Sequence, residues 1–124
     1  MKKISLAITL VFSVFMIANV SAQTGVSKAE LLRSINSYNE LELSNVKAEE
    51  LSNYNDGFAD RVYNIVDSDK SEEDKVTALK GLRESTAKDL TDILGKDVFK
   101  DYKKVVKREL RPLKRKSKLF KFII

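Results

Sequence analysis

From Leu31 onward the apolar residues of this chain fall at intervals of three and four, the spacing that lines one face of an α-helix, and strand-like alternation is nearly absent. Ser27-Lys28-Ala29-Glu30 reads as a capping box opening a first helix. That helix carries Leu31, Leu32, Ile35 and Tyr38 on one side, and the pattern predicts its end near Leu41. Asn36, Ser37 and Asn39 are weak helix formers within it. A second helix is predicted after Ser44, with Val46, Leu51, Tyr54, Phe58, Val62 and Ile65 as its apolar stripe. Gly57 interrupts that stripe at a cost of about 1 kcal/mol relative to Ala. Asp67-Ser68-Asp69-Lys70 breaks the pattern, and Ser71 caps a third helix with Glu72, Glu73 and Asp74 at the positive end of its dipole. Its buried face is predicted to hold Val76, Leu79, Leu82, Thr86, Leu90 and Ile93, with Gly95 closing it in the left-handed conformation. A fourth helix carries Val98, Phe99, Tyr102, Val105, Val106 and Leu110, and kinks or stops at Pro112. Short breaks between long helices favour antiparallel neighbours. The expected fold is all-α: three to four amphipathic helices in a hairpin or small bundle.

The first twenty-two residues follow a different rule. Lys2 and Lys3 precede an uncharged apolar run from Ile4 to Ile17, and Val20-Ser21-Ala22 puts small residues at a cleavage position. This is the pattern of a cleavable secretory signal, with Gln23 as the new N-terminus and a periplasmic or secreted destination. A retained membrane anchor is the rival reading, because the run to Val20 approaches the ~17–25 residues that span a bilayer. The polar Gln23-Thr24-Gly25 favours cleavage. The expected organisation is a signal peptide over 1–22, a helical domain over 23–111 and a basic-apolar tail over 112–124.

Composition narrows the chemistry. The chain has no Cys and no His. Thiol and imidazole nucleophiles, the usual general base and nearly all zinc, copper and haem ligation are thereby removed. No catalytic, cofactor or metal site is expected, and no enzyme. Charge is segregated: nine Lys/Arg face fifteen Asp/Glu between Gln23 and Gly95, whereas twelve face three from Lys96 onward. Such asymmetry points to an anionic partner, or to a basic end that folds back on, or dimerises with, the acidic part. An exported protein is not expected to meet nucleic acid. The acidic run from Asp67 to Asp74 invites a calcium loop, but Glu72 and Ala78 stand where that loop needs Gly and a bidentate acid.

Two junctions carry a family resemblance. Leu43-Ser44-Asn45-Val46-Lys47 and Leu94-Gly95-Lys96-Asp97-Val98 each precede a predicted helix, with Leu51 and Tyr102 eight residues beyond the leading Leu. They resemble the LTxxQ motif of the Spy/CpxP family of small helical periplasmic proteins. The motif has physical sense, since Thr caps a helix and Gln completes a capping box. This chain keeps the cap at Ser44, has Lys47 and Val98 where Gln is expected, and has Gly95 in place of Thr. The resemblance implies a curved helical dimer that shields unfolded envelope proteins or takes part in envelope stress, without ATP. Metal-responsive members lean on His or related ligands, and this chain has no His and no Met after position 16, so that property does not carry over.

The tail from Arg111 to Ile124 mixes cations with large apolar residues. Two readings stand equal: a surface for an unfolded client or anionic lipid, or a segment whose Phe120, Phe122 and terminal isoleucines close the core while its lysines stay wet. The candidate client- or anion-binding residues are Lys103, Lys107, Arg108, Arg111, Lys114, Arg115, Lys118, Phe120 and Phe122, and the motif-like caps are Leu43, Ser44, Leu94 and Gly95. The expected function is an ATP-independent, chaperone-like or stress-associated binding protein. The alternative is a protein that binds a membrane surface or an envelope polymer through the tail.

Overall fold

A computed structural model describes residues 25–124; the signal-peptide assignment to 1–22 lies outside the described residues. Three serines open the first three helices as the sequence predicts. Ser27 and Glu30 form the complete capping box of α1 (Lys28–Ile35). Ser44 Oγ accepts from Lys47 N at the start of α2 (Asn45–Val66), and Ser71 Oγ accepts from Asp74 N at the start of α3 (Glu72–Leu94). Each satisfies an early amide that has no partner within its own helix. Two further helices follow, α4 (Lys96–Glu109) and α5 (Arg111–Lys116), with short 3-10 turns at Asn39–Leu41 and Lys118–Phe122. The described residues are all-helical, and they hold five α-helices where three or four were expected.

α2 and α3 form an antiparallel hairpin. Its turn is tied by Lys75 Nζ, which donates to Val66 O at 2.7 Å, and by Ser68 Oγ, which donates to Ile65 O at 2.6 Å. A cation on the last carbonyls of a helix also complements its dipole. Burial lifts the carboxyl of Asp67 in this turn above its ordinary value, and Lys75 opposes that shift. α1 lies across α2 and α4, α4 returns along α3, and the C-terminal turn packs back on α3. One core joins Leu31, Leu51, Val62, Leu79, Leu90, Tyr102, Val106, Leu110 and Phe120, each with at most 1% of its surface exposed. Among the described residues no helix is long and apolar enough to cross a membrane.

Three local expectations need correction. α1 ends at Ile35, not Leu41, where its last carbonyl is claimed by side chains of other helices. Asn55 Nδ2 donates to Ile35 O at 3.1 Å, and Tyr102 donates to the same oxygen. Val46 is 67% exposed: five residues before Leu51, it sits about 140° away from the buried stripe on a 3.6-residue helix. Gly95 has positive φ, but its ψ of 158° puts it outside the left-handed helical region, in a conformation essentially restricted to glycine. Pro112 marks the break that the sequence predicts, since α4 ends at Glu109 and α5 begins at Arg111. It occupies the first turn of α5, where a missing amide proton costs nothing, and Lys114 N bonds to Leu110 O across the joint at 2.9 Å.

Gly95 is the whole connection between α3 and α4: its N donates to Thr91 O at 2.8 Å, and its O accepts from Phe99 N at 3.0 Å. A methyl group there would meet nothing within 4 Å, so a substitution is felt by the backbone alone. Gly95→Ala should destabilise the protein by about 1–3 kcal/mol in urea denaturation. A change within ~0.5 kcal/mol would show that this backbone relaxes freely.

Candidate binding surface

The basic end divides into cations outside and apolar groups inside. Leu113, Phe120 and Ile123 belong to the core that the hairpin builds, and Phe120 lies 6.3 Å from the Tyr63 ring, centroid to centroid. Phe120 has no exposed surface, so it cannot serve as a client contact, and the boundary drawn at 111/112 marks a kink within one core. Phe122 is half-buried, with Lys80 and Lys121 over its ring at 5.5 and 5.3 Å from the centroid.

Two cations of this end fold back onto the acidic part. Arg108 binds Glu40, which together with Glu109 raises its pKa, and Lys116 Nζ lies 3.0 Å from Glu30. The Lys116 bond, and then the Ser27 amide, hold the Glu30 carboxyl below its ordinary value. Among the described residues the other ten cations from Lys96 onward make no ion pair. Lys107, Arg111, Arg115 and Lys118 are exposed, and Lys103 and Lys114 are half-buried.

α4 orders the unpaired charges. Lys96, Lys100, Lys103 and Lys107 recur at steps of four, three and four, which stacks them along one face of the helix. The adjoining face buries Phe99, Tyr102, Val105 and Val106, and Phe99, one turn before Lys103, lies at the border between the two faces. Lys96 and Lys100 were absent from the residues singled out on sequence, although their spacing from Lys103 was readable there. Beside the lysine row lies a cleft of about 170 Å³ between α3, α4 and the chain's last residues. Phe99, Ala87, Ile123 and Ile124 make its apolar lining, with Arg83, Glu84 and Lys103 also in its walls. Lys103 Nζ stands 5.5 Å from the Phe99 centroid. Thr86, on the same wall, is 4% exposed, and its hydroxyl has no close hydrogen-bond partner among the described residues.

The motif-like caps are unlike each other. Ser44 caps α2 through its hydroxyl, whereas Gly95 offers no side-chain bond and acts through its backbone conformation. Leu43 and Leu94 are half-buried against the core.

A buried polar cluster holds α4 in register. Asn55, 2% exposed, donates to Ile35 O, to Asn36 Oδ1 at 2.9 Å and to Tyr102 Oη at 3.2 Å. Burial pushes the Tyr102 phenol well above its ordinary value; burial, and then Asp89, do the same to Tyr54. A phenol that keeps its proton longer when folded contributes stability that is complete below the ordinary tyrosine pKa of about 10. That stability drains away as pH rises from there toward the raised values. Urea denaturation should show stability beginning to fall above pH ~10, and Tyr102→Phe should flatten that fall. An unchanged slope would dissociate Tyr102 from the alkaline transition.

No family model, curated protein or solved structure matches the chain.

Proposed function

We propose that the protein is an exported, ATP-independent holding protein, without catalytic activity, that engages acidic and apolar segments of unfolded clients. The observation that carries this reading is the row Lys96, Lys100, Lys103 and Lys107, unpaired and set beside an apolar cleft. Holding needs both: cations speed encounter with acidic segments, and apolar surface retains them. The charge pattern of residues 1–22 supports export, and the motif-like junctions at Leu43 and Leu94 support a kinship with Spy/CpxP proteins.

A membrane surface or envelope polymer is the second reading, and the shape of the apolar surface favours it less. Binding in a lipid interface calls for apolar side chains that protrude and insert. Here the apolar surface beside the lysines is concave, and the exposed large apolar residue among the described ones is Val46, in the first turn of α2. The test is aggregation of an unfolded acidic test protein at low salt. The protein at several-fold molar excess should slow it, and the effect should fade as salt shortens the Debye length from about 10 Å at 0.1 M to 3 Å at 1 M. No slowing at low salt would reject the reading.

A further inference from the structure

We propose that the cleft between α3, α4 and the C-terminal residues is a binding site for a small monocarboxylate bearing one aryl or short alkyl group. The inference does not depend on the holding function, with which it shares only Lys103 and the cleft itself.

Size sets the apolar part. A cavity of about 150 Å³ lined by aliphatic and aromatic side chains is large enough to bind benzene. The cleft, at about 170 Å³ with Phe99, Ala87, Ile123 and Ile124 in its walls, therefore accepts one ring or a short alkyl chain. It is too small for a long acyl tail.

Charge sets the head group. Arg83 from α3 and Lys103 from α4 both line the cleft and are half-buried, whereas Glu84, the acid that also lines it, is exposed. Neither Arg83 nor Lys103 has an ion-pair partner among the described residues. Lys80 and Lys121, gathered over Phe122 beside Ile123, add to the positive field. A carboxylate between Arg83 and Lys103 gains two charge-assisted hydrogen bonds while its tail leaves water. An ammonium group would meet the same two cations.

The test is a titration of the isotopically labelled protein, followed by amide chemical shifts, with 3-phenylpropanoate, 3-phenylpropan-1-ol and 3-phenylpropylammonium. The acid should saturate shifts at Ala87, Phe99, Lys103 and Ile123, with a dissociation constant on the order of 1 mM for a ligand of this size. The alcohol should bind roughly tenfold more weakly, as expected when a charge-assisted bond is lost, and the ammonium should not saturate. Arg83→Gln and Lys103→Gln should each weaken the acid by a similar factor, and Ala87→Leu should abolish binding by filling the cleft. Lys70→Gln, in the turn between α2 and α3 and outside the cleft lining, should leave acid binding unchanged. Equal binding of all three probes, shifts that map elsewhere, or no saturation by the acid would each overturn the proposal. The comparison on the unaltered protein decides the matter even if Ala87→Leu unfolds. Aggregation suppression that persists without acid binding would sink this site and leave the holding function standing.

Discussion

Phe120→Ala should cost about 3–5 kcal/mol, the range for truncating a buried aromatic residue. Phe120 is wholly buried, it meets the Tyr63 ring, and the turn that carries it packs on α3. A domain of this size has only about 5–15 kcal/mol of stability in total. The midpoint of thermal unfolding should therefore fall by roughly 12–40 °C. Phe122→Ala, at a half-buried position two residues away, should cost no more than about 2 kcal/mol. If the tail were a surface arm, both substitutions would stay within ~0.5 kcal/mol. The same packing predicts that removing everything after Leu110 unfolds the protein instead of merely stripping its charge, because Leu113, Phe120 and Ile123 go with it.

Asn55→Ala should cost about 2–4 kcal/mol, an unusual penalty for one small polar side chain. The two amide hydrogens are shared among three acceptors on two other helical segments, and their loss leaves Asn36 Oδ1 and Tyr102 Oη without that donor inside the protein. Asn55→Leu refills the space with an apolar group of similar size, yet it should recover little, because the penalty comes from unmet acceptors more than from volume. A double-mutant cycle with Tyr102→Phe should give a coupling of about 0.5–3 kcal/mol, as for groups in one hydrogen-bonded network. Stability in Asn55→Leu equal to that of the parent would mean that the cluster is not needed to hold α4.

What could be read from the sequence follows the range of each force. Ser27, Ser44 and Ser71 bond to amides three residues away, so the starts of α1, α2 and α3 were legible from local pattern alone. The end of α1 was not, because Asn55 and Tyr102, distant in sequence, stop it at Ile35. Asn55 stood at a buried position of the stripe, four residues after Leu51 and three before Phe58, but polarity hid its part in the core. The tail showed the same limit. Alternating cations and apolar residues fit a binding arm and a closing segment equally, and only contact with α3 separates them. The row of lysines on α4 was local and readable. Arg83 was not, since nothing in the order of residues brings it to the cleft that Lys103 lines.

The most direct measurement of the proposed function removes charge from that row while leaving the cleft intact. Lys96, Lys100 and Lys107 are exposed and unpaired, so replacing all three with Gln should leave thermal unfolding within a few degrees of the parent. The parent, in several-fold molar excess at low salt, should slow the aggregation of an acidic unfolded protein, and the triple variant should lose most of that effect. Equal protection by the folded variant, or none by the parent, would contradict the account.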